Sequence, residues 1–136
     1  MTMAELLIFL ATKCAFLFNP DGYRFVDSRI GRSRGDATVV LESSVLRMEF
    51  FRDRGQLLLR FQPVAGPPRD WYSLGLVQGL VTGVRPKSEV LSDEWAEFLG
   101  KHLPELEARF GDPQQAHVIV DGLREQAKLR AKELFG

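Results

Sequence analysis

Residues 46–62, LRMEFFRDRGQLLLRFQ, decide the fold. Apolar side chains occupy every second position on both sides of a central turn, at Leu46, Met48, Phe50, Leu57, Leu59 and Phe61. Because successive side chains of a strand point to opposite faces, this spacing predicts two antiparallel strands that share one apolar face. The intervening segment, Arg52 to Gly55, predicts a hairpin with Gly55 in the left-handed position of a bulged type I turn.

The alternation extends upstream of this hairpin. It predicts a strand from Tyr23 to about Asp27 and another from Thr38 to Glu42, separated by a loop rich in glycine, serine and arginine at Arg29–Asp36. Pro63–Pro68 ends the sheet, because proline cannot donate to a strand ladder. One sheet face is expected to meet the core and the other to meet water, and the second face would carry Arg47, Glu49, Arg60 and Gln62.

Helical spacing replaces alternation on both sides of the sheet. An N-terminal helix is predicted from about Ala4 to Phe18, and its apolar residues on nearly every side predict burial on two sides. Downstream, the pattern predicts a helix at Trp71–Thr82 that Asp70 caps and Gly83 ends. Two more helices are predicted. Ser92 caps the first, which runs to Gly111 and is kinked or split at Pro104, and Asp112 caps the second, which runs to about Leu134.

These elements together predict one α+β domain over residues 1–136. It would consist of the N-terminal helix, a four-stranded antiparallel meander and three C-terminal helices packed on one face of the sheet. At 136 residues the chain is long enough to bury a core without a disulfide or a structural metal.

Composition excludes several classes of function. Eighteen basic residues balance eighteen acidic residues, so no overall field favours nucleic acid or a membrane surface, and neither is expected as a partner. The single cysteine, Cys14, fits a reducing cytoplasm and excludes a thiolate zinc cluster. His102 lies on the apolar stripe of its predicted helix and His117 near a helix start, and neither has an evident catalytic partner. We therefore expect no catalytic residue, no metal and no cofactor.

The candidate partner-binding residues are charged or aromatic. Three of them, Arg52, Asp53 and Arg54, form the tip of the predicted hairpin, where they would meet solvent. Trp71 and Tyr72 are adjacent aromatics, of which one is expected to pack inward and the other to lie at the surface. The arginines of the 29–36 loop either contact an acidic surface or phosphates, or are simply solvated.

Five segments carry a family resemblance: Gly22–Phe25, Val40–Ser43, Arg52–Gln56, Trp71–Leu74 and Arg130–Gly136. In these segments the chain resembles an uncharacterised bacterial family of small α+β proteins. At the level of fold class that architecture is similar to small immunity or antitoxin-type binding proteins. The resemblance implies binding of another protein and names no activity.

The sequence therefore leads to the expectation of a non-enzymatic cytoplasmic protein-binding module, of which an immunity- or antitoxin-like protein is one case. Its expected partner is another protein or a second copy of the chain. The alternative is a small-ligand-binding protein or an enzyme with a pocket between sheet and helices, using His102 and nearby carboxylates. A pocket with convergent polar groups would favour the alternative.

Overall fold

The computed structural model describes residues 3–18, 22–30, 37–53, 56–65, 70–84 and 91–135. Its helices are α1 (Met3–Lys13), α2 (Leu74–Thr82), α3 (Asp93–Gly111) and α4 (Pro113–Phe135), with a 3₁₀ helix at Ala15–Phe18. Its strands are β1 (Arg24–Ile30), β2 (Ala37–Glu42), β3 (Leu46–Asp53), β4 (Gln56–Pro63) and β5 (Tyr72–Ser73). The predicted α+β class is confirmed.

The strands form one antiparallel sheet in the order β1-β2-β3-β4-β5. Val39 faces Phe50 on β3, and Phe50 in turn faces Leu59 on β4. The six alternating apolar residues of β3 and β4 are all buried, which confirms the predicted register.

All four helices contribute to the same core. Their buried side chains form one cluster with the apolar sheet face, and this cluster includes Leu6 of α1, Val77 of α2, Leu99 of α3 and Leu123 of α4. Val40, which is buried on the other sheet face, lies outside the cluster. The helices therefore cover one face of the sheet, and we call the other the open face.

The count of four strands was wrong by one. Tyr72 and Ser73 were predicted to lie inside a helix capped by Asp70, but they pair with Phe61 and Arg60 as β5. The cap of α2 is Ser73, whose hydroxyl accepts a hydrogen bond from the Leu76 amide at 3.3 Å. Tyr72 and Ser73 thus pair with the edge of β4 before the helix begins. Gly83 ends α2 as predicted, at a φ of 79°.

The N-terminal helix is shorter and more exposed than predicted. It ends at Lys13, and a 3₁₀ turn follows it. Leu6 and Leu10 are buried, but Leu7 and Ile8 on another side are exposed, so the helix is buried on one side and not on two.

The C-terminal helices begin and end close to their predicted bounds. Ser92 occupies the N-cap position of α3, but its side chain makes no capping hydrogen bond, so that part of the prediction was wrong. Helix α3 continues through Pro104 to Gly111, so the proline does not split it. Asp112 accepts a hydrogen bond from the Gln114 amide at 3.0 Å and one from the Gln115 side chain at 3.2 Å, and so caps α4.

Strand β1 forms one edge of the sheet. It continues to Ile30, beyond its predicted end at Asp27, and its register against β2 shifts between Phe25 and Asp27. This bulge places Phe25 opposite Leu41 but Asp27 opposite Val40, so the two do not share a face as their spacing suggests. The rest of the predicted 29–36 loop, and residues 54 and 55 of the predicted hairpin turn, lie outside the described residues.

Candidate functional site

The open face carries three rows of side chains that run across neighbouring strands. Alternation along each strand puts these residues on the face that the helices leave uncovered in the described part of the chain. The rows are Arg24–Glu42–Arg47–Gln62, Asp27–Val40–Glu49–Arg60 and Arg29–Thr38–Phe51–Leu58. The open face is therefore rich in arginine and carboxylate.

Glu49 lies at the centre of this face and is buried. Its side chain is only 5% exposed, and the Nε of Arg60 donates to its Oε1 at 3.0 Å while a terminal nitrogen of Arg60 contacts the same oxygen. A terminal nitrogen of Arg29 lies 3.8 Å from its second oxygen. A carboxylate removed from water needs such charged donors, since burying it alone would cost several kcal/mol. The expectation that this sheet face meets water is therefore wrong for Glu49.

A second network joins the first row. The Nε of Arg47 donates to Glu42 at 2.8 Å, and its terminal nitrogen donates to the Oε1 of Gln62 at 2.9 Å. Arg24 adds a longer contact of 3.7 Å to Glu42. Gln62, which accepts the hydrogen bond from Arg47, is 2% exposed, so the expectation that this face meets water is wrong for Gln62 as well. In both rows, therefore, an arginine on one strand hydrogen-bonds a buried polar side chain on the next: Arg47 bonds Gln62, and Arg60 bonds Glu49.

The arginines and the carboxylates of these rows differ in their exposure to solvent. The side chains of Arg24 and Arg29 are 79% and 62% exposed, whereas Glu42 and Glu49 are largely covered. Asp27, which pairs with Arg29 at 3.2 Å, is the carboxylate of these rows that stays half-exposed. The outer layer consequently consists mainly of guanidinium groups that present N–H donors.

Aromatic rings fix one of these guanidiniums. The Cζ of Arg60 lies 4.8 Å from the ring centroid of Phe51 and 5.7 Å from that of Trp71. Both rings are half-buried, so the cation is held over apolar surface as well as by Glu49. Arg60 is therefore held by Glu49 and by both rings, and Trp71 lies at the border of the open face.

The structure separates the candidate residues that the sequence suggested. Trp71 lies on the open face beside Arg60, whereas Tyr72 is 4% exposed and faces Phe61 on the helix-covered side. Arg52 is half-buried at the end of β3, Asp53 ends that strand, and Arg54 lies outside the described residues. Arg24, Arg29 and Glu42 were not predicted to share a site. Simple alternation would place Arg24 and Arg29 on opposite faces, and the bulge in β1 puts them on the same one.

An ion pair beside Tyr72 links the sheet edge to α4. Arg124 donates to one oxygen of Asp70 from two nitrogens, at 2.9 and 3.3 Å. The hydrogen bond to Asp70 raises the pKa of the Arg124 guanidinium, and burial raises the pKa of the Tyr72 hydroxyl. This exposed ion pair joins α4 to the segment that precedes α2.

A separate pocket of about 590 Å³ lies where the ends of β4 and α3 meet α4. Its apolar wall includes Val45, Val64, Phe110 and Val120, and its polar groups are Ser44, His117, Asp121 and Arg124. Ala116 and Val120 are buried yet lie outside the main core cluster, so they line this pocket and not the core. Most of its lining is apolar, and its four polar side chains are the groups that could orient a ligand.

The two histidines do not converge on this pocket. His117 belongs to its wall and lies 3.6 Å from Asp121. His102 lies on α3 and not on α4. Its ring packs against the ring of Phe98 at 4.6 Å between centroids, and it lies 3.7 Å from Glu105. Within the described ranges there is no group of three or more histidine, cysteine or carboxylate side chains placed to hold a metal ion.

Comparison with protein-family models, with curated proteins and with solved structures finds no match to this chain. The family resemblance therefore stays an expectation based on the five quoted segments. None of the described helices is long and apolar enough to cross a bilayer.

Proposed function

We propose that this chain is a non-enzymatic protein-binding module whose open face binds a carboxylate-rich segment of another protein. The observation that carries the proposal is that arginines pair with the largely covered Glu42 and the buried Glu49, which leaves cationic donors outermost on a sheet face that the described helices do not cover. Guanidinium groups pair with carboxylates through parallel N–H···O bonds, so a partner rich in Asp or Glu fits them best.

The arrangement also supports binding with little loss of side-chain freedom. Arg60 is already held by Glu49, Phe51 and Trp71, and Arg47 by Glu42 and Gln62. Side chains that are ordered before contact lose less entropy when a partner binds. Trp71 provides a half-buried aromatic contact at the border of the charged area, which is typical of residues that dominate binding energy.

The partner is a protein in this proposal because few aromatic rings accompany the arginines. Nucleic-acid-binding faces use several exposed rings to stack bases, and the described open face offers Phe51 and Trp71, both of which already contact Arg60. A cytoplasmic immunity- or antitoxin-like role would be one instance of such a module, and a toxin-like reading frame beside its gene would favour it.

The test uses a fluorescently labelled glutamate-rich peptide and measures its binding by anisotropy. Wild-type protein is expected to bind the peptide, and binding should weaken as salt is raised because exposed charges are screened. Arg24→Glu is expected to lower the affinity about tenfold, since it replaces an attractive exposed charge with a repulsive one. Capture of a native partner from lysate should fall in parallel.

The matched control is Lys128→Glu, which reverses an equally exposed charge on α4. It should leave the peptide affinity and the melting temperature nearly unchanged. Equal loss in both variants would mean that only net charge matters. If an oligonucleotide of the same charge binds more tightly than the glutamate-rich peptide, the partner is a nucleic acid and not a protein.

A second candidate function follows from the pocket beside α4. Its apolar wall and its polar groups would suit a small, mostly apolar molecule with one hydrogen-bonding end. We give it second place because His117 and Arg124 are exposed, so water competes for the hydrogen bonds that they would donate to a ligand.

A further inference from the structure

We propose that two copies of this chain associate through β1, pairing antiparallel about a two-fold axis at Ser28 and forming one continuous sheet. This association uses the free edge of β1, whereas the proposed acidic partner binds the open face. The oligomeric state can therefore be measured without that partner.

The first supporting observation is the state of β1 itself. All seven of its residues are exposed, and its outer side is paired with no other described strand. An unpaired edge presents a row of free N–H and C=O groups that can pair with another chain. At the opposite edge of the sheet, β5 is only two residues long, so β1 is the edge able to support a ladder.

The second observation is the apolar character of this edge. Ile30 is 77% exposed, and Phe25 and Val26 are about half-exposed. Phe25 is backed by Phe18, whose ring stacks on it at 5.4 Å between centroids. Large apolar side chains concentrated along one free strand are typical of a surface that another chain covers.

The third observation is self-complementarity, and it selects the occupant. With the axis at Ser28, antiparallel pairing places Asp27 of each copy opposite Arg29 of the other, within the part of β1 that follows the bulge. Both charge pairs are attractive and lie on the open face, where Asp27 and Arg29 already project. Opposite charges and apolar pairs across neighbouring strands stabilise a sheet, whereas like charges destabilise it. Moving the axis to Asp27 would place two aspartates together.

This geometry also fits a closed dimer. A two-fold axis perpendicular to the sheet pairs each β1 with one other and leaves both helical layers on the same side. Such a contact uses the edge once per chain, so association stops at two copies. The open faces of the two copies would join into one surface.

The test exchanges the charges at positions 27 and 29 by mutation. Sedimentation velocity measures the oligomeric state of each variant over a wide range of protein concentration. Wild type is expected to sediment as a dimer. Asp27→Arg places arginine opposite arginine and Arg29→Asp places aspartate opposite aspartate, so each is expected to weaken the dimer about tenfold or more, since two pairs change at once. An equimolar mixture of the two variants restores both attractive pairs and should form a heterodimer.

The mixture separates pairing from folding, because loss of the Asp27–Arg29 pair within one chain would not be repaired by mixing. Lys128→Glu, an exposed charge reversal on α4, should remain dimeric. A monomeric wild type at every concentration, or variants that stay monomeric when mixed, would overturn the proposal.

A cysteine variant gives an independent measurement. Facing residues of an antiparallel pair have Cα atoms about 4.5–5.5 Å apart, within the range of about 4.4–6.8 Å that a disulfide spans. Ser28→Cys should therefore form a disulfide-linked dimer under mild oxidation, while native Cys14 stays buried. Ser44→Cys, at an exposed turn, is the control. Equal cross-linking of both variants would show random collision and overturn the pairing.

Discussion

At the scale of single residues, Glu49 shows how a charged side chain comes to lie in a largely covered position. Its carboxylate accepts hydrogen bonds from Arg60 and is approached by Arg29, so its charge is neutralised where water does not reach it. Exposed ion pairs contribute about 0–1 kcal/mol, but removing one member of a covered pair leaves the other without its partner. The pair should therefore matter to stability as well as to the open face.

Glu49→Gln is expected to lower the free energy of unfolding by about 1–3 kcal/mol, because the amide fits the space but no longer neutralises two arginines. Chemical denaturation measures the loss. Glu125→Gln removes one carboxylate from an exposed pair with Lys128 and should cost less than about 1 kcal/mol. If the two variants unfold at the same denaturant concentration, Glu49 contributes no more than a surface charge.

At the scale of elements, the β3–β4 hairpin organises the molecule. Its apolar face supplies fully buried residues such as Phe50 and Phe61, and its other face supplies Glu49 and Arg60. Each strand thus has one side in the core and one side in the candidate site. A change on the first side should alter stability, and a change on the second side should alter binding.

Leu59→Ala is expected to cost about 2–5 kcal/mol, because Leu59 is buried opposite Phe50 and its loss leaves a cavity. Leu58→Ala is a control on the adjacent position, since Leu58 is only half-buried and lies on the open face. Its cost should be clearly smaller. Denaturation midpoints that are equal for the two variants would contradict the assignment of the faces.

At the scale of the whole molecule, helix packing creates the pocket. Its wall combines residues from the turn before β3, the end of β4, the end of α3 and one side of α4. None of these segments forms a concave surface alone. The pocket therefore exists only in the folded chain, and whatever it binds should stabilise the fold by mass action.

Val120→Trp is expected to fill the pocket and abolish one-to-one binding of the apolar dye 8-anilinonaphthalene-1-sulfonate, measured by fluorescence titration. Leu129→Trp adds the same ring at an exposed position of α4 and should bind the dye as wild type does. Melting curves check that both variants remain folded. Undiminished dye binding by a folded Val120→Trp protein would show that the dye binds elsewhere.

The sequence by itself determined the α+β class, the faces of β3 and β4, the glycine that ends α2 and the aspartate that caps α4. These features depend on alternation, helical periodicity and local hydrogen bonding, which neighbouring residues specify. It also placed Arg47 and Glu49 against Arg60 and Gln62, since a short hairpin fixes the register of its strands.

Only the tertiary structure decided which residues meet across long sequence separations. The bulge in β1 brings Arg29 to Glu49, pairing with β4 draws Tyr72 and Ser73 into the sheet, and packing leaves Leu7 and Ile8 exposed. Each outcome depends on contacts between segments that compete with local preference. For the same reason, local pattern indicated the polar face of the sheet, and the fold determined which of its charges are covered and which edge is left free.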